Sequence, residues 1–197
     1  TRVTGAGLYV ENARLTAANC VFHDNFATNN GGAVFVTSGD LERSKLHLDN
    51  CVFIENGSNG TGAAVHAQAN NAGTQYPELT VEDCVFQDNG YQYALSANRS
   101  SLALRRCYFM DNRGGALSAN DRVTLDAANC VFMRNGGMLQ GAVYVGTLCD
   151  AALLHCTLAH NSTNDIHVSP DAYLETRLAV ANSIVWNDSR AALSVSP

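Results

Sequence analysis

Cysteine thiols are the most regularly placed reactive groups in this sequence of 197 residues. Six of the seven cysteines begin a copy of Cys-x-(Phe/Leu)-x-x-Asn, and these six are Cys20, Cys51, Cys84, Cys107, Cys130 and Cys156. Such thiols could bind a soft metal or form disulfides, but no two have the Cys-x-x-Cys spacing of zinc or thioredoxin-like sites. We therefore interpret the six as small buried residues of a repeat. Cys149 lies outside the repeat, and we expect a free, partly buried thiol there.

Carboxylates form a second group that could do chemistry, because they recur four residues after successive cysteines. The set is Asp24, Glu55, Asp88 and Asp111, and Arg134 ends it. Stacked repeats would place these side chains about 4.8 Å apart on one ridge. Calcium could neutralise such a ridge, although a solvated ridge is the interpretation we favour. Paired carboxylates also serve retaining glycosidases, but a convex turn offers no cleft. We assign no catalytic residue and no cofactor.

Aromatic, histidine and serine side chains share a third position, directly after the inward Val, Leu or Ile of the third strand of each repeat, as in Gly-Ala-Val-Phe at Gly32–Phe35. The candidate ligand-binding residues at this position are Tyr9, Phe35, His66, Tyr144 and His167. Their rings could stack on sugars. They could equally pack beneath the long segments 37–45 and 68–78, because apolar side chains in a loop-rich protein are often covered.

Three short strands per repeat must position these groups. Alternating apolar residues precede each cysteine, as Leu46 and Leu48 precede Cys51, and Cys-x-Phe has the same period of two. A Gly/Asn-rich turn and a third strand such as Gly32–Val36 follow. Successive repeat cysteines are 23 to 33 residues apart, and 23 residues are too few for a βαβ unit of about 30. The pattern predicts one all-β domain over residues 1–197, a parallel β-helix of about seven coils.

The register predicts which side chains stack inside the coils. Cys and Phe of each Cys-x-Phe have the same parity, so both face inward with the aliphatic residue of each Gly-Ala-(Val/Leu) segment. The residue before each cysteine, often Asn or Asp, is expected at a sharp left-handed bend. The asparagine five residues after each cysteine should bond to the next coil and form a ladder. Glu82 and Asp83 are expected to form ion pairs with Arg105 and Arg106 of the next coil.

Two motifs together carry a resemblance to a known family. Phe22 to Asn25 reads Phe-x-x-Asn and is followed by Gly-Gly-Ala-Val at Gly31–Val34; Phe109 to Asn112 is followed by Gly-Gly-Ala-Leu at Gly114–Leu117. This pairing resembles the repeats of the polymorphic outer-membrane protein family, the chlamydial autotransporter adhesins. The resemblance extends over the whole chain at the level of the repeat. It implies a right-handed β-helix that forms a passenger or stalk at a cell surface.

Composition restricts the class of partner. The net charge of −6 argues against nucleic acid, which requires a basic surface, and against an anionic membrane surface. No apolar run approaches the ~20 residues of a membrane span. Because the first residues already read as repeat, we expect a processed form or a fragment of a longer exported protein.

The predicted function follows from the repeat and the charge. We expect an extracellular or cell-surface structural module that mediates attachment or acts as a stalk. Its partner would be a surface protein or glycan of a host or neighbouring cell, and we expect no enzymatic activity. A carbohydrate-binding or polysaccharide-degrading β-helix, either a lyase or a hydrolase, is the alternative.

Overall fold

Short strands make up all the regular structure of the computed structural model, which describes residues 4–39, 42–70, 75–136, 141–162, 164–170, 175–188 and 191–195. The strands are β1 (Leu8–Glu11), β2 (Arg14–Ala18), β3 (Val21–His23), β4 (Phe26–Ala27), β5 (Val34–Ser38), β6 (Lys45–Asp49), β7 (Val52–Ile54), β8 (Gly57–Ser58), β9 (Val65–Ala69), β10 (Glu78–Glu82), β11 (Val85–Gln87), β12 (Leu95–Asn98), β13 (Ser101–Arg105), β14 (Tyr108–Met110), β15 (Leu117–Asn120), β16 (Thr124–Ala128), β17 (Val131–Met133), β18 (Gly141–Val145), β19 (Asp150–Leu154), β20 (Thr157–Ala159), β21 (Asn164–Val168), β22 (Arg177–Ala181), β23 (Ile184–Trp186) and β24 (Leu193–Val195). In these ranges we find no helix of the length and apolarity that a membrane crossing requires.

Three parallel sheets run the length of the molecule. Sheet A contains β1, β5, β9, β12, β15, β18, β21 and β24; sheet B contains β2, β6, β10, β13, β16, β19 and β22; sheet C contains β3, β7, β11, β14, β17, β20 and β23. The chain visits sheets A, B and C in turn, so three strands complete one coil. A short fourth pairing joins β4 to β8. The prediction of a parallel β-helix with three strands per coil and about seven coils is confirmed.

Like residues stack on like in the interior. Phe22, Phe53, Phe86, Phe109 and Phe132 form one column in sheet C, which Leu158 and Val185 continue. Adjacent ring centroids are 4.5–5.1 Å apart and the rings are nearly parallel. Leucines of sheet B and valines or leucines of sheet A form the other walls of the buried core. In the inner coils the predicted inward set is confirmed, because each column buries its side chains between neighbouring coils. Leu193, which was also predicted to face inward, is 53% exposed in the last described strand.

Two left-handed corners bound every strand of sheet C. The residue before each repeat cysteine has φ between 49° and 56°, as predicted; these residues are Asn19, Asn50, Asp83, Arg106, Asn129 and His155, with Asn182 before Ser183. The position of the acidic ridge is a second left-handed corner, at Asp24, Glu55, Asp88, Asp111, Arg134 and His160. The sequence did not predict this second corner, because left-handed angles are unusual for Glu and Arg. The two bends limit each intervening strand to three residues.

The outward positions of sheet C form two rows. The first row is Val21, Val52, Val85, Tyr108, Val131, Thr157 and Ile184, and the second is His23, Ile54, Gln87, Met110, Met133, Ala159 and Trp186. We call Val52, Val85, Tyr108, Val131, Met110 and Met133 the apolar stripe. Sequence reasoning missed this surface, although the residue between Cys and Phe of the repeat is Val in four copies.

Candidate functional site

The cysteines form a column of free thiols, and all seven are unpaired. Each sulfur takes part in hydrogen bonds at the bend: the Cys51 amide donates to Cys84 Sγ at 3.3 Å, and the Cys84 thiol donates to the Glu82 carbonyl at 3.1 Å. Ser183 Oγ replaces sulfur in the last rung and accepts the Cys156 amide at 3.0 Å. The position therefore requires a small side chain that both donates and accepts a hydrogen bond.

The environment of the column suppresses thiol chemistry. Burial raises the pKa of Cys84 to about 12, and a hydrogen bond with Cys107 together with burial raises that of Cys130 to about 12. The thiol is therefore protonated near neutral pH, whereas the thiolate is the nucleophile and metal ligand. Cys149 is only 2% exposed and burial raises its pKa. The expectation that it is partly buried was wrong, because its side chain closes the corner before β19.

Six asparagines form the predicted ladder inside the second corner: Asn25, Asn56, Asn89, Asn112, Asn135 and Asn161. Asn112 Nδ2 donates to the Phe86 carbonyl at 2.9 Å and to Asn135 Oδ1 at 2.8 Å. Its Oδ1 accepts the amide and side-chain N–H groups of Asn89. Each rung thus ties three coils together, which confirms a structural role for these amides.

The acidic ridge is only partly neutralised. Asp111 accepts two hydrogen bonds from Arg134, at 2.8 and 2.9 Å, and Glu55 lies 3.3 Å from His23 Nε2. Within the described ranges, neither Asp24 nor Asp88 forms an ion pair. Those ranges contain no cluster of three or more His, Cys, Asp or Glu arranged to hold a metal ion. Calcium binding at the ridge stays a prediction.

The charged residues at the first corner pair in part as predicted. Arg106 donates to both Asp83 oxygens, at 2.7 and 2.8 Å. Arg105 does not join this cluster. It forms an ion pair with Asp126 and donates to the Asp126 carbonyl at 2.8 Å. Arg105 lies at an outward position of β13 beside the next coil, so its guanidinium reaches β16 instead of the corner.

The candidate ligand-binding rings lie in one outward row of sheet A and form two stacks. In the first stack the ring centroid of Phe35 lies 5.6 Å from that of Tyr9 and 5.6 Å from that of His66. In the second stack the ring centroids of Tyr144 and His167 are 5.8 Å apart. Phe35, His66 and His167 are buried, whereas Tyr9 is 50% exposed. The alternative prediction was that segments 37–45 and 68–78 cover these rings. Parts of both segments, residues 40–41 and 71–74, lie outside the described residues. Ligand binding by these rings stays a prediction.

Between the two stacks the same row carries Ser96 and Ser118, and a groove of about 400 Å³ opens above these small side chains. Hydroxyl and amide side chains and one Arg–Asp pair line the rest of the groove: Asn30, Thr61, Gln68, Asn98, Asn120, Arg99 and Asp121. Sequence reasoning placed the serines in the row without recognising the hollow. The sequence signal for this hollow was that two serines lie between aromatic or histidine residues in the same outward row.

His66 forms one end of the groove floor as a neutral side chain. Thr61 Oγ1 lies 3.1 Å from Nδ1, and Gln68 Oε1 lies 3.0 Å from Nε2. Because the amide oxygen only accepts, Nε2 carries the ring proton. Burial lowers the pKa of His66 to about 4. Near neutral pH the imidazole is therefore uncharged, with both nitrogens hydrogen-bonded.

One ion pair supplies the charged groups of the groove. Arg99 Nε lies 3.0 Å from Asp121 Oδ2, while Arg122 donates to Asp121 Oδ1 at 2.7 Å. Asp121 thus holds two guanidinium groups at the corner between sheets A and B. The groove combines neutral hydrogen-bonding side chains, aromatic rings at its ends and one fixed ion pair.

Comparison with known proteins identifies two family models that match the chain. The first is described as a right handed beta helix region and matches residues 62–196. The second is the Chlamydia polymorphic membrane protein repeat, which matches residues 19–37. No curated protein and no solved structure matches the chain.

Proposed function

The chain belongs to the right-handed β-helix family, and from that premise we propose that it is an adhesin-like module of an extracellular or cell-surface protein. The likeness of residues 19–37 to the repeat of a polymorphic membrane protein supports a surface location. The repeated Cys, Phe and Asn side chains are all used in stacking. The residues that distinguish this module therefore lie on its outer surface.

The groove of sheet A is the single observation that carries the attachment role. Its floor contains Ser96 and Ser118, and amide side chains of Gln68, Asn98 and Asn120 line it. Neutral donors and acceptors of this kind can pair with sugar hydroxyls, and a nearby ring can pack on the apolar face of a sugar. We propose that the partner is a glycan on a host or neighbouring cell.

Attachment can be tested with beads coated with the purified protein, applied to cultured cells and to a panel of immobilised glycans. Ser118→Phe should fill the groove and weaken binding about ten-fold. The fold accommodates a ring in this row, since Phe35 and Tyr144 occupy equivalent positions. Ala103→Phe on the outer face of sheet B is the matched control and should bind like wild type.

Two results would contradict the attachment role. If wild-type beads bind neither cells nor glycans, attachment is wrong and only the role of a stalk stands. If Ser118→Phe and Ala103→Phe weaken binding equally, the groove is not the contact surface. Binding to a surface protein on glycan-free cells, lost in Ser118→Phe, would reassign the partner class.

We further propose that the module is not an enzyme. The ionisable side chains that line the described part of the groove are His66, Arg99 and Asp121. His66 is buried and hydrogen-bonded, Arg99 and Asp121 are paired, and a retaining hydrolase requires two carboxyl groups about 5 Å apart. Polysaccharide depolymerisation by the protein, abolished by Asp121→Asn or His66→Ala, would establish the alternative of a lyase or hydrolase.

A further inference from the structure

The outer face of sheet C is mostly apolar, and its described residues are exposed or half-exposed along most of its length. Val21, Tyr108 and Ile184 of its first row are 68%, 47% and 61% exposed. Exposure therefore occurs at both ends and in the middle of the row. A contiguous apolar surface on a soluble protein commonly marks an interaction site. This face is separate from the groove of sheet A, so its role does not depend on the attachment role.

Negative charge borders part of the apolar stripe along one side. In the first four coils the corner residue that follows the second row is acidic, as Glu55 follows Ile54 and Asp88 follows Gln87, whereas Arg134 takes this position after Met133. Asp24, Glu55 and Asp88 lie in successive coils at steps of about 4.8 Å. Within the described part of the chain, His23 is the one basic side chain in an ion pair with these three carboxylates.

Beyond the ridge lies a hollow of about 300 Å³, which Asp24, Glu55 and Asp88 line together with Arg113. Gly57, Gly90, Phe26 and Tyr91 also line the hollow, and Phe26 and Tyr91 are 57% and 71% exposed. The Arg113 guanidinium carbon lies 5.8 Å from the centre of the Tyr91 ring. An aromatic ring attracts a cation placed over its face, so this chain already shows the contact that a foreign lysine or arginine would make.

We propose that the apolar stripe and the adjacent carboxylates bind a cationic amphipathic helix of a partner protein or peptide. The apolar face of the helix packs on Val85, Tyr108 and the two stripe methionines, and its lysines or arginines lie over Asp24, Glu55 and Asp88. Charge complementarity selects this partner, because the protein has a net charge of −6 and Asp24, Glu55 and Asp88 lie on one side of the stripe with His23 as their one basic ion-pair partner among the described residues.

The dimensions of the surface fit one helix. The stripe occupies four of the seven strands of sheet C. At about 4.8 Å spacing the whole outer face extends roughly 29 Å, which a helix rising 1.5 Å per residue covers in about 20 residues. Outward positions two residues apart are separated by about 7 Å, so two rows match a helix about 10 Å wide. The area, about 29 by 10 Å, is well below the ~800 Å² per partner of a stable dimer. The repeated acidic ridge would also repel a second copy.

The test uses a designed 20-residue peptide with leucine on one face and lysine on the other, and a counterpart in which glutamate replaces every lysine. Fluorescence anisotropy measures binding to the whole protein, and circular dichroism measures the helicity of the bound peptide. The lysine peptide should bind and become helical, and the glutamate peptide should not bind. Added salt should weaken binding, because exposed charge pairs are screened.

Variants on each half of the surface locate the site. Met110→Glu places a charge in the stripe, and the double change Glu55→Gln with Asp88→Asn removes two carboxylates. Each should weaken binding of the lysine peptide about ten-fold or more. Ala103→Glu and Asp150→Asn on the outer face of sheet B are the matched controls and should bind like wild type. Thermal unfolding checks that every variant is folded.

Several results would overturn the inference. These are no binding of the lysine peptide to wild type, equal binding of the glutamate peptide, or equal weakening by the sheet B controls. A bound peptide without helical circular dichroism would also overturn it. The double variant replaces two exposed or half-exposed carboxylates by amides of the same size, and we expect it to fold. It therefore tests the role of the carboxylates even if Met110→Glu does not fold.

Discussion

At the scale of single residues, position suppresses the chemistry of the most reactive side chains. Five of the six repeat thiols are buried in a column and Cys20 is half-buried at its end; their sulfur atoms serve as hydrogen-bonding groups at a bend. Ser183 does the same with an oxygen. Since a serine suffices, neither thiolate chemistry nor disulfide formation is needed at this position.

Thiol reactivity should therefore be very low in the folded protein. With Ellman's reagent at pH 8, about one of the seven thiols should react within minutes, because Cys20 is half-buried and the other six are buried. Denaturation should expose all seven. Cys20→Ser should remove the fast phase, with Cys149→Ser as the control that leaves it intact. Rapid reaction of several thiols in the native state would contradict the buried column.

The buried His66 should make stability depend on pH. Its pKa of about 4 in the folded protein lies below the ordinary value of 6.5. The unfolded chain therefore binds a proton that the folded protein excludes as pH falls below 6.5. Stability should be fully present above pH 7 and should fall by on the order of 3 kcal/mol towards pH 4.

Denaturant unfolding at pH 7 and pH 4.5 measures this dependence. His66→Gln should show a smaller loss between the two pH values than wild type. His23→Gln, at an exposed position, should lose as much as wild type. The same loss in His66→Gln and wild type would mean that another group controls acid stability.

At the scale of elements, the three-residue strands of sheet C depend on their two corners. Each corner bends the chain in the left-handed region, and the asparagine ladder satisfies the backbone inside the second corner. The ladder is buried, so a missing rung leaves polar groups without partners. These short strands are thus held by side-chain amides as well as by their own backbone pairing.

Removal of one rung should be costly. Asn112→Ala removes the acceptor of the buried Asn89 backbone amide and the side-chain donor to the Phe86 carbonyl, and we expect a loss of about 2–4 kcal/mol in the free energy of unfolding. Asn120→Ala, at the exposed end of β15, is the control and should change stability by less than about 0.5 kcal/mol. Equal losses in urea titrations of the two variants would show that the ladder does not stabilise the coils.

At the scale of the whole molecule, stability is a sum of contacts between neighbouring coils. Phe109 lies between Phe86 and Phe132, with ring centroids 4.5 and 5.1 Å away. Phe22 stacks on Phe53 alone among the described phenylalanines and is half-buried. The same substitution should therefore have different costs at the two positions.

Phe109→Ala should lower the free energy of unfolding by about 3–5 kcal/mol, because it opens a cavity in the buried column. Phe22→Ala should cost less than about half as much. Phe109→Leu is the conservative control, since Leu158 occupies the same column, and should cost less than about 2 kcal/mol. Equilibrium unfolding checks all three. Equal losses for Phe22→Ala and Phe109→Ala would contradict a sum over neighbouring coils.

The sequence alone determined the interior of this protein. A column of stacked side chains packs well only if each coil supplies a similar residue. The Cys, Phe and Asn columns therefore appear as a repeat in the sequence, and the number of copies gives the number of coils. The left-handed bend before each cysteine was also predictable, because Asn or Asp occupies it in five of seven copies.

Only the tertiary structure decided what the outer surface presents. The groove above Ser96 and Ser118, the partner of Arg105 and the apolar stripe beside the acidic ridge arise between coils that are 23 to 33 residues apart in sequence. Outward side chains are not constrained to match their neighbours, since solvent accepts any of them. Their arrangement therefore depends on exact stacking and on how each corner orients its side chains, which no repeat pattern specifies.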